Sequence, residues 1–184
     1  MPKAKSAARS KTKAKGPDAI SLLKADHKKV KGLFESYEKS RGRKAEIAQE
    51  ICLELLIHTT IEEEILYPAC KGVVEDDLLD ESYVEHDGAK MLIAEVEAGS
   101  PKEPFYDAKV KVLSEDIEHH VKEEEKPGGL FAQLRKGDVD LDALGAQMKA
   151  RKDQLMAEMK GRKLPTPMTR TMSGAKVDYG SVTA

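Results

Sequence analysis

The sequence predicts an all-α fold, an antiparallel up-down-up-down four-helix bundle with an additional C-terminal helix and disordered tails. Three observations favour this fold. Charged residues make up 35% of the 184 positions and aromatic residues only 4%, and the middle of the chain is rich in good helix formers. Five segments repeat apolar side chains every three or four positions. The connections between these segments are short, as in a simple bundle.

The first two predicted helices run from about Asp18 to Ser40 and from about Lys44 to Cys70. Their candidate buried positions recur at spacings of three and four, which fits one face of an α-helix and no strand. Asp18 is a plausible N-cap, and Pro68 kinks the second helix or marks its last turn. The two stripes are Ile20, Leu23, His27, Val30, Phe34 and Tyr37, followed by Ile47, Ile51, Leu55, His58, Glu62, Ile65 and Ala69.

Three further helices are expected, from about Asp80 to Ala98, from about Pro104 to Lys126 and from about Leu141 to Lys160. Gly and Pro clusters after the first two of these mark their ends. Their stripes are Tyr83, His86, Lys90, Ile93 and Glu97, then Val110, Leu113, Ile117, His120 and Glu124, and finally Leu144, Met148, Leu155 and Met159. We therefore expect the bundle to span residues 17–135 and the extra helix to lie within 136–163.

The two ends of the chain differ in composition from this helical middle. Residues 1–16 carry six basic side chains and no acidic one, and we expect a disordered tail that could contact nucleic acid or an anionic surface. Residues 164–184 are rich in Thr, Pro, Gly and Ser, and we expect a flexible tail.

The compartment follows from what the sequence lacks. No apolar run approaches the roughly 18 residues of a membrane-spanning helix, and the start has no signal-peptide apolar region. We therefore expect a soluble protein of the cytoplasm that does not enter membranes. Cys52 and Cys70 agree, because their spacing along one helix separates them by about 27 Å, too far for a disulfide.

Histidines and carboxylates at apolar positions predict a metal site. Four of the five histidines fall one per bundle helix, each in phase with the apolar stripe, and buried imidazoles without partners are costly. Glu62 follows His58 by four residues, and Glu124 follows His120 by four, so each pair shares one helix face. The candidate ligands are His27, His58, Glu62, His86, His120 and Glu124. Neighbouring acidic residues, including Glu63, Glu64, Glu123 and Glu125, are interpreted as a solvated face.

Ligand chemistry narrows the choice of ion. Calcium and magnesium prefer oxygen ligands, and zinc usually takes three or four ligands in one tetrahedron. Four imidazoles with two carboxylates able to bridge fit a pair of non-haem irons, with manganese or zinc as weaker alternatives. His119 also precedes a glutamate at the same spacing, but His120 fits the apolar phase better, so we expect His119 at the surface or behind the ligands.

These residues resemble a known family. The segments LLKADHKKVKGLF, HTTIEEEILYPA, VEHDGAKMLI and HHVKEEE are similar, in order, to the four signature helices of the hemerythrin-like HHE cation-binding family. The resemblance covers about residues 20–131. It implies an oxygen-bridged di-iron centre in which His27 and His58 hold one iron and His86 and His120 hold the other. On the same basis Glu62 and Glu124 would bridge the two irons.

The sequence departs from the oxygen-carrying members of that family at three places. Lys90 stands where they have a further histidine. Its ammonium could approach the centre, but we expect the stem to pack while the ammonium reaches outward. Glu124 lies four residues after its histidine, where they have Asp at five. The family's usual Phe-Pro after the last ligand helix becomes Gly-Gly-Leu-Phe around Phe131, a change that we expect to leave the ligands untouched.

The function expected from the resemblance is a di-iron protein that binds or reacts with oxygen, peroxide or nitric oxide, in sensing, scavenging or a stress response. Alternatives are an iron storage or handling protein, a peroxide-decomposing di-iron enzyme, and a purely structural bundle without metal. The sequence contains no glycine-rich phosphate loop.

Overall fold

A computed structural model describes residues 16–172 and Gly174, and within them the chain is all-helical with no strand. The predicted all-α bundle is confirmed. Most of both predicted tails lies outside the described residues. The helices are α1 (Ala19–Lys39), α2 (Lys44–Ile61), α3 (Tyr67–Cys70), α4 (Asp76–Ala98), α5 (Tyr106–Glu125), α6 (Leu130–Lys136) and α7 (Leu141–Met159). A π-helical turn, Glu62–Leu66, joins α2 to α3.

The four long helices α1, α2, α4 and α5 form a ring in which each packs against two others, and α7 lies across α1 and α2. The side chain of Asp18 accepts a hydrogen bond from Ser21 N and caps the start of α1, as the sequence predicts. None of the helices in the described part of the chain is long and apolar enough to cross a membrane.

Two apolar clusters form the core, one at each end of the bundle. The Tyr67 cluster contains, among others, Ile20, Leu23, Ile61, Leu66, Tyr67, Leu79 and Leu130. The Phe34 cluster contains, among others, Val30, Phe34, Leu55, Ala89, Ile93 and Leu113. The chain passes from the first cluster to the second along α1 and α4, and back along α2 and α5. This alternation is the up-down-up-down arrangement, and it leaves a layer between the clusters where each long helix carries its histidine.

The π-helical turn changes the register of the second bundle helix. Tyr67 N donates to Glu62 O, five residues back, so one extra residue is accommodated after Glu62. The predicted stripe continued through Ile65 and Ala69, but both are only partly buried. Leu66, Tyr67 and Cys70 are the fully buried residues instead. A regular α-helix could not have placed both Glu62 and Tyr67 inside the bundle.

Two further features differ from the sequence expectation, the start of α4 and an additional short helix. Helix α4 begins at Asp76, earlier than the predicted Asp80, and thereby buries Leu79 in the Tyr67 cluster. Helix α6 was not expected. It follows Gly129, whose position lies so close to Glu123 O that a side chain would collide with it. This sharp turn returns the chain toward α1.

Candidate metal centre

The six predicted ligands lie together in the polar layer between the two apolar clusters. Every one is less than a tenth exposed, although imidazoles and carboxylates ordinarily prefer water. The six residues are His27 on α1, His58 on α2, Glu62 at the start of the π-helical turn, His86 on α4, and His120 and Glu124 on α5.

The histidines form two pairs with one carboxylate between them. The ring centroids of His27 and His58 are 4.9 Å apart, and those of His86 and His120 are 4.8 Å apart. Glu62 Oε2 lies 3.1 Å from His58 Nε2 and 3.3 Å from His86 Nε2. Two ion-sized groups of ligand atoms therefore share Glu62, one with His27 and His58 and one with His86 and His120.

Glu124 spans the same two pairs through its two oxygens. Oε2 lies 3.4 Å from His27 Nε2, and Oε1 lies 3.7 Å from His120 Nε2. Each carboxylate thus faces both histidine pairs, which is the arrangement that a bridging ligand requires.

Several inward-facing atoms have no hydrogen-bond partner among the described residues. They include both oxygens of Glu62, both oxygens of Glu124, and His27 Nε2. Buried polar atoms are nearly always hydrogen-bonded, since leaving one unpaired costs about 1–3 kcal/mol. A cation in this layer would satisfy all of them, so the residues present fit a metal centre.

The pKa shifts of the buried groups in the cation-free protein also favour a metal centre. Burial and the neighbouring His58 lower the pKa of His27 to about 4. Burial also acts against the charged form of His58, but the Glu62 and Asp26 carboxylates outweigh it and raise the pKa of His58 to about 10. Burial and the charge of Glu62 raise the pKa of Glu124 to about 8. Protons therefore balance the buried charges, and a bound cation would displace them.

A carboxylate stands behind each imidazole. His27 Nδ1 is 2.8 Å from Glu125 Oε1, His86 Nδ1 is 3.1 Å from Glu63 Oε1, and His120 Nδ1 is 2.7 Å from Glu85 Oε2. Asp26 Oδ2 is farther from His58 Nδ1, at 3.7 Å. A carboxylate accepts, so these contacts favour an Nδ1–H directed outward, with Nε2 turned toward the shared interior.

The sequence analysis missed these outer carboxylates, and for Glu63 its interpretation as solvated was wrong. Glu63 is 6% exposed, because the π-helical turn brings it inward beside Glu62. Glu125 is partly exposed yet bonds His27. A signal was present: each outer carboxylate directly precedes or follows one inner ligand in the chain. Each then serves a histidine of a different helix.

The expectation for Lys90 was also wrong. Its ammonium is buried and donates to Glu63 Oε1 at 2.5 Å and to Asp87 Oδ1 at 3.3 Å. Two buried carboxylates compensate its charge, which explains why the side chain does not extend to solvent.

Two aromatic side chains contact the imidazoles and were not anticipated. The hydroxyl of the fully buried Tyr67 lies 3.0 Å from His86 Nε2, within hydrogen-bond distance. The ring of Phe131 stacks on His27, with centroids 5.8 Å apart and planes 8° from parallel. The Gly-Gly-Leu-Phe segment thus contacts a candidate ligand, contrary to expectation.

The neighbouring histidines of α5 occupy different environments. His120 is 2% exposed and faces the shared interior. The His119 side chain is 59% exposed, and with Glu81 and Glu85 it forms a separate cluster at the surface. This placement agrees with the choice of His120, although ligation itself stays a prediction.

A small cavity adjoins the centre. All four candidate histidine ligands line it together with Ile117 and Val121, and it has room for about one water molecule. Outside it, a groove of about 650 Å³ runs between α1 and α5 and also reaches His27, Ile117 and Val121. These three side chains separate the groove from the cavity.

The described residues form a helical bundle with buried histidines and glutamates that could hold metal ions, as expected of a metal-binding helical protein. The chain belongs to the hemerythrin family, since the model of the hemerythrin HHE cation-binding domain matches residues 18–127.

Two proteins are similar to the chain. A hemerythrin HHE cation-binding domain-containing protein from Mycobacterium kansasii, known from its crystal structure, is 25% identical with a TM-score of 0.65. That match covers 80% of this chain and 96% of the other. A protein named DNA nickase from Nostoc sp. is 28% identical over 145 residues, which cover 77% of this chain but 41% of that protein. The chain therefore corresponds to less than half the length of the second relative.

Proposed function

We propose that the chain is a non-haem di-iron protein whose centre binds or reacts with oxygen, peroxide or nitric oxide, in sensing, scavenging or a stress response. His27 and His58 would hold one iron, His86 and His120 the other, and Glu62 and Glu124 would bridge them. The observation that carries the proposal is the set of buried, unpartnered atoms that face both histidine pairs. Imidazole with bridging carboxylates favours iron over zinc or magnesium. Ferrous ions there would supply electrons to a small oxidant.

The surrounding residues support a small ligand. The cavity beside the histidines has room for about one water molecule, a size that favours a small ligand over a large substrate. Ile117 and Val121 present apolar surface between this cavity and the outer groove, and so limit the access of water. The buried Tyr67 hydroxyl, 3.0 Å from His86 Nε2, is placed to donate a hydrogen bond to a ligand on that side.

Metal content tests the centre. Protein purified and loaded with ferrous iron is expected to hold about two irons per chain, as other carboxylate-bridged bundles do. His120→Ala should lose at least half of this iron, whereas His119→Ala, the exposed neighbour, should retain all of it. Iron far above two per chain would instead favour storage.

Reactivity tests the function. The reduced, iron-loaded protein should change its optical spectrum on exposure to oxygen, peroxide or nitric oxide, and His58→Ala should abolish the change. Oxygen release from peroxide would identify the enzymatic alternative. An iron-loaded protein whose spectrum responds to none of the three molecules would contradict the proposal.

A second candidate function is contact with nucleic acid. It draws on the six basic residues of segment 1–16 and on the relative that is named a DNA nickase. A mobility-shift assay at two salt concentrations should show weaker binding for a chain that begins at Pro17, with a reduced salt dependence. Equal binding by both chains would remove the idea.

The buried free thiols Cys52 and Cys70 fit a reducing location such as the cytoplasm, which we retain as part of the proposal.

A further inference from the structure

The chain after α7 returns to the metal centre. From Leu164 onward it has no regular structure as far as Thr169, and it crosses α2 and the π-helical turn toward α4. Leu164 packs against the Phe34 cluster at one end, and Arg170 and Thr171 contact α4 at the other. Between these anchors a cavity of about 450 Å³ separates residues 165–170 from the bundle. We call residues 165–172 the C-terminal latch.

The latch is held by one fully buried carboxylate. Asp87 Oδ2 accepts hydrogen bonds from Arg170 N at 2.8 Å, Thr171 N at 2.6 Å and Thr171 Oγ1 at 2.8 Å. Its other oxygen accepts from Lys90. Release of the latch would remove all three bonds from Oδ2, two of them from backbone N–H groups to a charged acceptor. The attached position is therefore favoured although the latch hardly packs against the bundle.

The Arg170 side chain extends from this anchor to Glu63, the carboxylate behind His86. Arg170 Nε donates to Glu63 Oε2 at 3.0 Å, while Glu63 Oε1 faces Lys90 Nζ at 2.5 Å and His86 Nδ1 at 3.1 Å. With Oε2 held by Arg170, the carboxylate cannot rotate without losing a charge-assisted bond. Its other oxygen is thereby kept against the imidazole.

A second series of contacts connects Arg170 with Nε2, the other nitrogen of the His86 imidazole. The Arg170 guanidinium lies 5.8 Å from the centre of the Tyr83 ring, and Tyr83 packs edge-on against Tyr67 with centroids 5.0 Å apart. The Tyr67 hydroxyl is 3.0 Å from His86 Nε2. The latch thus contacts Glu63 on the Nδ1 side of His86 directly, and it reaches Tyr67 on the Nε2 side through Tyr83.

From these contacts we propose that Arg170 is a positioning residue for His86. Through Glu63 it fixes the imidazole in the orientation that binds the ion of the His86–His120 pair, and attachment of the latch slows release of that ion. This inference rests on cation binding by His86, which the proposed function includes, and not on any reaction at the centre. The other pair is supported by different groups, since Glu125 behind His27 pairs with Lys24. The effect should therefore concern one ion of the two.

The test compares Arg170→Gln with a matched control. Arg151 pairs with Glu64, the residue next to Glu63, but this pair faces solvent away from the centre. The full chain is loaded with cobalt(II), and a chelator is added in excess while the visible spectrum is recorded. We expect Arg170→Gln to release one ion about three- to tenfold faster, somewhat below the usual effect of changing a group that bonds a ligand directly. For each of the two ions, the release rate of Arg151→Gln should equal that of wild type.

Further variants refine the result. Arg170→Lys keeps the charge and should restore part of the slow release, and Thr171→Val, which loses one of three bonds to Asp87, should have a smaller effect than Arg170→Gln. Equal release rates in wild type and Arg170→Gln would overturn the inference. Equal acceleration of both ions would overturn it as well, because the latch touches only one pair.

A readout without metal separates this inference from the proposed function. We expect the Nδ1 proton of His86 to be observable by nuclear magnetic resonance in the cation-free protein, because Nδ1 lies 3.1 Å from the buried Glu63 Oε1. Its exchange with water should be at least threefold faster in Arg170→Gln than in Arg151→Gln. Unchanged exchange would contradict a positioning role, whereas failure to react with oxygen or peroxide would leave this outcome unaffected.

Discussion

The candidate metal centre has two halves, the His27–His58 pair and the His86–His120 pair. Both halves consist of imidazoles, but their surroundings differ. Behind His27, the outer carboxylate Glu125 is 30% exposed and pairs with the half-exposed Lys24. Behind His86, Glu63 is 6% exposed and pairs with the buried Lys90. The open groove reaches His27, whereas the C-terminal latch and Lys90 surround Glu63, behind His86. Under the proposed function, this difference predicts a division of roles, with small molecules arriving at the His27 half and the His86 half retaining its ion.

The largest expected effect comes from a residue that belongs to both halves. One oxygen of Glu62 lies within 3.3 Å of a histidine of each half, so Glu62→Gln should reduce bound iron from about two to less than one per chain. Glu64→Gln is the control, because Glu64 is exposed and pairs with Arg151. Elemental analysis of both variants makes the measurement. Full iron content in Glu62→Gln would show that the halves do not share this ligand.

Removal of metal should destabilise the whole bundle, because ligands converge from all four long helices. An ion present at 100 times its dissociation constant contributes about 2.7 kcal/mol to the free energy of unfolding. For a chain of this size that corresponds to a fall in Tm of about 5–10 °C after chelation. Circular dichroism on loaded and chelated protein measures it. An unchanged Tm would mean that binding is not coupled to the folded bundle.

The outer carboxylates should matter unequally. Glu63→Gln removes a buried partner of His86 and should weaken metal affinity by about 10- to 100-fold, the usual range for such groups. Glu125→Gln should have a smaller effect, because water can replace the partly exposed carboxylate behind His27. Competition with a coloured chelator gives both affinities. Equal losses would contradict the proposed difference between the halves.

The smallest effect should appear in kinetics alone. Val121 lies between the groove and the cavity, so Val121→Phe should slow the reaction with peroxide several-fold without changing bound iron. Val112→Phe, an exposed position on the same helix, is the control. Stopped-flow absorbance distinguishes the two. An unchanged rate would indicate that peroxide reaches the centre by another route.

Helical periodicity predicted the six candidate ligands, because the position of each residue in an apolar stripe depends on its own helix alone. The stripe through Val30 is buried throughout, and those through Ile93 and Leu113 are buried except at Tyr83, Glu97 and Ile117, which are partly buried. The same phase identified the histidines. For α5 it also separated the buried His120 from the exposed His119.

The parts that the sequence did not reveal depend on contacts between helices or on a local change of helix type. The π-helical turn at Glu62 moved Glu63 and Tyr67 inward, and a regular 3.6-residue repeat cannot anticipate such an insertion. Lys90 is buried only because Glu63 and Asp87 meet it there. Likewise, nothing in the Thr/Pro-rich composition around Arg170 indicates that its side chain reaches Glu63.

The central claim is that side chains from four helices hold two cations in one enclosed layer. Anomalous diffraction at the iron absorption edge, on crystals of the iron-loaded protein, tests it directly. We expect two peaks about 3.5–4 Å apart, one beside His27 and His58 and one beside His86 and His120. A single peak, or peaks only at the exposed cluster of Glu81, Glu85 and His119, would contradict the account.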